Sequence, residues 1–308
     1  MVDYIIHCGD IHIRNFQRAV EYQEQLQKFI NECKRFAQEK GAEHVRIVVT
    51  GDIVHSKTTI SNECNILTSW FLKQLDTIAK TYVISGNHDT TANADRIDSL
   101  TPIFSMCNFK QTIYLDKELG YQSGCLVDEN IVWCLYSSFT NFSKPDIESF
   151  RDTNKDKTFV GLCHCELQGS KTDAGYASEV GVAPSYFEDV DFCMLGHIHK
   201  RQCIKYNGVK LVYCGSLIQQ DHGENVTSHG YLIWDVEKCD YTEHNIENPD
   251  YGFYTFVINS ENDVDEDKEE IINLVPLFAQ ESKQRFVIAF FLFTDHIRIE
   301  TKFISEDS

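Results

Sequence analysis

Apolar residues along the chain fall into two rhythms. Short runs at Tyr4 to Cys8, Val45 to Thr50 and Thr81 to Ser85 have the length and the β-branched or aromatic content of strands. Between them, Arg18 to Glu39 and Asn62 to Ala79 place apolar residues at spacings of three and four; Leu26, Phe29, Ile30, Cys33 and Phe36 mark the face of the first. Such spacing predicts amphipathic helices, and the β-α-β-α-β order predicts a layered α/β domain. Further strands are expected at 130–136, 158–163, 192–195, 210–214 and 230–236. No 20 to 50 residue repeat is visible, which excludes a solenoid.

Asn245 to Tyr251, which contains Pro249, reads as a boundary between a large domain, 1–248, and a small α+β unit, 249–308. In the latter, Phe253 to Ile258 and Arg285 to Phe293 read as strands. Val264 to Leu277 reads as an acidic helix, its start inside the charged run from Glu261 to Glu270.

A chain of 308 residues that is 42% hydrophobic can bury a large core. Its N-terminal stretch lacks the basic start and unbroken apolar run of a secretory leader. The longest apolar run, Phe286 to Phe293, is far shorter than the roughly 18 residues of a membrane span, so no membrane association is expected. Twelve scattered cysteines form no zinc-ribbon spacing, and several lie in apolar runs where a thiol packs as a small hydrophobe. An intracellular location with reduced thiols is therefore expected, and the sequon Asn225-Val226-Thr227 then carries no meaning. The formal charge of −19 argues against a freestanding, tight nucleic-acid binder, although bound divalent cations or a cationic partner would reverse the sign locally. Residues 251–308 add to this, with five Lys plus Arg against twelve Asp plus Glu.

The strand runs at 4–8, 45–50, 81–85, 158–163 and 192–195 share one feature: each is followed by Gly and then Asp, Asn or His, or directly by His. In open α/β sheets the C-terminal strand ends converge on the ligand crevice, so these residues are expected in one site. Asp10 and His12 are two apart, as are His197 and His199; in extended segments each pair points one way. Asp52 offers a carboxylate able to bridge two ions, Asn87 a neutral oxygen and His164 another imidazole. Seven ligands of mixed oxygen and nitrogen type exceed the three of a single catalytic zinc and suit two divalent ions about 3.5–4 Å apart. Manganese, iron and zinc all accept such ligands. His88 is the candidate general acid for the leaving alkoxide, with Asp89 to orient it, and His55 either contacts phosphate or makes a loop hydrogen bond. His222 and His229 read as turn residues, and His7, His44, His244 and His296 as surface or satisfied core residues.

Gly9-Asp10-Ile11-His12, Gly51-Asp52-Ile53-Val54-His55, Gly86-Asn87-His88-Asp89, His164 and Gly196-His197-Ile198-His199 resemble, in order, the five motifs of the calcineurin-like metallophosphoesterases. The likeness spans residues 5 to about 235 and implies a four-layer α/β/β/α sandwich. Within that superfamily, three segments are similar to the SbcD and meiotic-recombination-eleven type of DNA double-strand-break repair nuclease, phage forms included. These are His55-Ser56, Cys163-His164-Cys165-Glu166-Leu167, and Tyr213 to Gln220 with the later Gly230 to Asp235. The residues after about 250 are similar in position to that family's DNA-capping subdomain. The resemblance implies manganese-dependent exonuclease and endonuclease activity on DNA, a dimer holding two DNA ends, and a complex with an SbcC-like ABC-type coiled-coil ATPase. The helical segment by which such nucleases grip the ATPase is not evident here, as expected of a fragment or a minimal viral version. Competing readings are a small-molecule phosphodiesterase or phosphomonoesterase on the same scaffold, which the acidic charge favours, and a non-catalytic scaffold protein.

Overall fold

In the computed structural model of the chain, which describes residues 1–90, 96–258, 285–293 and 296–304, the two rhythms resolve into alternating strands and helices. The order is β1 (Tyr4–Cys8), α1 (Ala19–Lys40), β2 (Val45–Thr50), α2 (Asn62–Asp76), β3 (Lys80–Ile84), α3 (Leu100–Met106), β4 (Thr112–Tyr114), α4 (Leu115–Glu118), β5 (Gly124–Asp128), β6 (Ile131–Tyr136), α5 (Ile147–Thr153), β7 (Thr158–His164), β8 (Phe192–Gly196), β9 (Gln202–Tyr206), β10 (Val209–Tyr213), β11 (Gly230–Asp235) and β12 (Asp240–Asn245). Two six-stranded sheets result, ordered β12-β11-β1-β2-β3-β4 and β5-β6-β7-β8-β10-β9. Their central strands run parallel, as β-α-β connections require, and antiparallel strands complete three of the four edges.

Three apolar layers hold the sheets and helices together. On the outer face of the first sheet, α1 contributes Tyr22, Leu26, Phe29, Ile30, Cys33 and Ala37, and Phe29 meets Phe71 of α2 and Tyr231 of β11. Burying each such side chain contributes about 1.5–3 kcal/mol, which is what fixes the helices on the sheet. Between the sheets, Trp234 stacks on Phe192 with ring centroids 4.3 Å apart, and Tyr82 tilts against Trp133. The outer face of the second sheet packs Phe159, Leu195 and Tyr213 against Ile147 and Phe187. Two mixed sheets flanked by helices are thus the four-layer α/β/β/α arrangement expected.

Helix α2 stops at Asp76, three residues before the expected Ala79, as the main chain tightens into three-residue turns, with the Thr77 N–H bonded to the Gln74 carbonyl and Ile78 to Leu75; the Asp76 carboxylate accepts the main-chain N–H groups of Lys110, Gln111 and Thr112 at 2.7–3.1 Å and so anchors β4. Strands β4, β5, β9 and β12, which periodicity does not mark, are the four sheet edges.

At one rim, Arg46 of the first sheet reaches Asp128 of the second at 2.6 Å, and Lys80 reaches the same carboxylate at 2.9 Å. Arg46 and Asp128 are each about 5% exposed. Burial would raise the Asp128 carboxyl, but its bonds to Arg46 and Lys80 prevail and hold it down at about 2. A carboxyl depressed on folding stabilises above its unfolded value near 3.9, and the gain is lost as pH falls from about 4 to about 2. Asp128→Ala leaves Arg46 without its main partner and should cost about 3 kcal/mol at neutral pH. Urea unfolding at pH 7 and pH 3 checks this: the difference between wild type and variant should shrink at the lower pH, and equal midpoints at pH 7 would contradict it.

The chain divides into two compact units, Met1–Ile218 with Ser228–Ile246, and Gln219–Thr227 with Glu247–Ser308. In the second, strands β13 (Tyr254–Ile258), β14 (Arg285–Phe293) and β15 (His296–Ile304) form an antiparallel sheet of order β13-β15-β14. The expected helix at 264–277 lies outside the described residues. Among the described residues, no helix is long and apolar enough to cross a membrane.

Candidate metal centre

The C-terminal ends of β1, β2, β3, β7 and β8 bring Asp10, His12, Asp52, Asn87, His164, His197 and His199 together, although the first and last are 189 positions apart in the chain. His12 Nε2 lies 3.0 Å from His199 Nε2 and 3.4 Å from Asp52 Oδ2. Asp52 Oδ2 is in turn 3.2 Å from His164 Nε2. Asn87 Oδ1 lies 3.2 Å from His164 Nε2 and 2.8 Å from His197 Nδ1. Asp10 Oδ1 is 3.9 Å from His199 Nε2, and the Asp10 carboxylate accepts the His197 main-chain N–H.

The convergence does not arise from extended backbone, as the two-residue spacings suggest. Asp10, His12, Asp52 and His197 all have positive φ, from 48° to 98°. Non-glycine residues held in that region cost on the order of 1–3 kcal/mol each, a strain that concentrates at functional sites. Glycines before two of the ligands, Asn87 and His197, answer a different demand. A Cβ on Gly86 would stand 2.0 Å from Asp52 Oδ1, and one on Gly196 would stand 2.2 Å from the Thr50 carbonyl oxygen. Only a hydrogen at Gly86 lets the β2 and β3 loops meet, and only a hydrogen at Gly196 lets the second sheet's β8 loop approach β2 of the first.

Electrostatically, the cluster lacks positive charge. Burial raises the Asp10 carboxyl to about 6 against the pull of His164 and His199. Burial would also raise Asp52, but the adjoining His164 and His12 rings hold it well below the usual carboxylate range. His164 shows the converse: burial would lower it, yet Asp52 and Asp10 lift it to about 10. In the metal-free protein a proton on His164 thus stands where a cation would satisfy both carboxylates. The 3.0 Å approach of His12 Nε2 and His199 Nε2 makes the same demand, since two lone pairs facing each other need a proton or a cation between them. Imidazoles, carboxylates and an amide oxygen fit borderline divalent transition ions.

Beside this set, His55 and His88 stack with centroids 4.9 Å apart, and His88 stands edge-on to His12 at 4.7 Å. His88 Nδ1 donates to the His55 carbonyl at 2.6 Å. That bond orients His88, in place of the Asp89 carboxylate expected to do so. Asp89 is fully buried and accepts the main-chain N–H groups of Ile53, Val54 and Gly86, fastening the β2 and β3 loops to each other. Burial, reinforced by Asp52, raises its carboxyl to about 7. His55 Nδ1 lies 3.3 Å from His12 Nδ1, and its Nε2 faces Arg14 at 3.2 Å. Arg14 carries no signal in the sequence, where nothing in its spacing separates it from other arginines. His229 is buried and bonds Ser216 Oγ at 2.9 Å, consistent with a structural role.

The chain is similar to known proteins. The family described as calcineurin-like phosphoesterase matches residues 4–201. The uncharacterized protein R555 of Acanthamoeba polyphaga mimivirus is 35% identical over 267 residues, which cover 83% of this chain and 19% of that protein. A component of the nuclease SbcCD of Staphylococcus epidermidis is 31% identical over 107 residues, 33% of this chain and 28% of that protein. The chain therefore spans less than a third of the length of either relative. Among solved structures, an archaeal phosphodiesterase aligns at 13% identity and a TM-score of 0.35, covering 78% of this chain and 98% of that one. GAP50, the anchor in the inner membrane complex of Plasmodium, aligns at 12% and 0.43, covering 80% and 89%.

Proposed function

Because this chain belongs to the calcineurin-like phosphoesterase family, and is thereby a metal-dependent hydrolase of phosphate esters, we propose that it is a DNA nuclease using two divalent cations. One observation carries the metal-dependent part of this reading: Asp52 Oδ2 lies between His12, at the end of the first sheet's β1, and His164, at the end of the second sheet's β7, within 3.4 Å of each. Asp10, His12 and His199 would hold one ion, and Asn87, His164 and His197 the other, with Asp52 shared. The choice of DNA is supported by the stretch similar to the staphylococcal protein named as part of a nuclease.

Bound there, the cations supply Lewis acidity toward phosphoryl oxygens and bring the pKa of water to about 7. The chain's own residues set the rest. His164 Nδ1 donates to the Thr50 carbonyl at 2.7 Å, which leaves Nε2 for ligation. Asp52 Oδ1 accepts the His88 main-chain N–H at 2.7 Å, which ties the ligand loop to the loop bearing the proton donor. His88, with Nδ1 committed to the His55 carbonyl, carries the proton for the leaving oxygen on Nε2. His55, held beside Arg14, lies where a substrate phosphate would approach.

The −19 charge favours a second reading, a small-molecule phosphodiesterase, and if DNA is the substrate it requires cationic help, for which an SbcC-like coiled-coil ATPase is the proposed partner. Both are separated by incubating the protein with Mn²⁺ and end-labelled single-stranded and duplex DNA, with and without such an ATPase, beside bis-p-nitrophenyl phosphate. Metal-dependent DNA cleavage supports the nuclease. Turnover of the small diester with every DNA left intact overturns it in favour of the second reading.

A further inference from the structure

His7 is fully buried in β1, and strand alternation places it on the same face as Ile5, in the apolar layer between the sheets. A hydrogen-bonded imidazole in that layer is a costly choice, because an aliphatic residue there would need no partners. Its partners explain the choice. Trp234 Nε1, which can only donate, approaches His7 Nδ1 at 3.4 Å, so Nδ1 must be the lone-pair nitrogen and Nε2 carries the hydrogen. His7 Nε2 then donates to Thr50 Oγ1 at 3.1 Å, and Thr50 Oγ1 passes its own hydrogen to the Cys8 carbonyl at 3.2 Å. Burial keeps the ring neutral, lowering it to about 3 against a hydrogen bond with the Leu195 main chain. His7 therefore touches the last residue of β2.

The residue it restrains is the one on which the ligands rest. The Thr50 carbonyl oxygen accepts from His164 Nδ1 at 2.7 Å across the gap between the sheets, and the next peptides lead through Gly51 to Asp52. A Cβ on Gly196 would strike that same oxygen, so the fold has cleared a path to it from the His197 side as well. Pinning the Thr50 side chain at both Oγ1 bonds fixes the direction of the following peptide and, through it, the ring of His164.

We propose that His7 is a positioning residue of the metal centre: the Trp234–His7–Thr50 chain sets the Thr50 carbonyl that orients His164 and the Gly51-Asp52 turn. The inference rests on the two-cation reading above, and its test is arranged so that the two fail separately. Divalent-cation affinity is measured by calorimetric titration with Mn²⁺ for wild type, His7→Phe, His7→Gln, Thr50→Val and the double variant His7→Phe/Thr50→Val. Loss of an outer partner of a metal-binding histidine lowers affinity by about 10–100-fold. That loss is expected in His7→Phe and in Thr50→Val. It should be largely recovered in His7→Gln, whose amide restores a donor, and not deepened in the double variant. An affinity unchanged in His7→Phe, or losses that multiply in the double variant, would overturn the proposal. If wild type binds no Mn²⁺, the two-cation reading fails, and the chain is then judged without metal by long-range ¹H–¹⁵N correlation of the histidine rings. His7 must carry its hydrogen on Nε2 and His164 must keep a hydrogen-bonded Nδ1–H. A His7 with its hydrogen on Nδ1 sinks the chain even if every variant fails to fold.

Discussion

Asp52→Ala is expected to lower phosphodiester hydrolysis by about 10³-fold or more, some 4 kcal/mol of transition-state stabilisation, and to reduce the bound divalent metal by at least one equivalent. The reason is its position. Asp52 Oδ2 lies 3.4 Å from His12 and 3.2 Å from His164, while Oδ1 takes the His88 main-chain N–H at 2.7 Å. Losing it removes the charge shared by both halves of the site and the tie to the proton donor's loop. Asp52→Asn separates these effects, because its amide oxygen can still accept from the His88 N–H but carries no charge. If charge is what matters, the asparagine variant should be nearly as inactive as the alanine one. Elemental metal analysis beside single-turnover rates checks this, and a variant with two full equivalents and a near wild-type rate would refute the assignment.

What makes Asp52 visible in the sequence is the run Val45 to Thr50, buried on both faces and stopped by glycine. Interior strands announce themselves this way, since a parallel strand covered on both sides is mostly apolar; Arg46, the exception here, is paired with Asp128 at the rim. In the two six-stranded sheets, the four strands that periodicity passes over are edges. β12 is exposed except for half-buried Tyr241 and His244, which are three residues apart and so follow no strand period, and β9 has no fully buried residue. Edges are paired on one side only and tolerate charge, so their pattern resembles a loop's. β4, at three residues, is too short for any period.

The site divides along the same line. Its ligands are legible because metal chemistry restricts them to a few residue types at strand ends. What supports them is not, because the bonds run through main-chain atoms. The N–H groups that Asp89 gathers and the carbonyls of Thr50 and His55 belong to every residue type, so no composition marks them. Adjacency in sequence pairs Asp89 with His88. In space the carboxylate turns away, because three otherwise orphaned N–H groups in a buried loop demand an acceptor more strongly than an imidazole already bonded to a carbonyl. The left-handed backbone at Asp10, His12, Asp52 and His197 is equally hidden: three of the four follow a glycine, yet the strain falls on the ligand itself.

His88→Ala should reduce kcat by about 10²–10⁴-fold on a diester whose leaving group is an alkoxide, with metal content unchanged. The two nitrogens of the ring have different duties: Nδ1–H is fixed on the His55 carbonyl at 2.6 Å, so the proton in flight must come from Nε2. An alkoxide is too basic to leave unprotonated, whereas a nitrophenolate departs readily without a proton. The loss should therefore be large on DNA or an alkyl diester and at most about 10-fold on bis-p-nitrophenyl phosphate. An equal loss on both classes of leaving group would assign His88 to holding the phosphate, since a positioning contact is indifferent to the basicity of the departing oxygen.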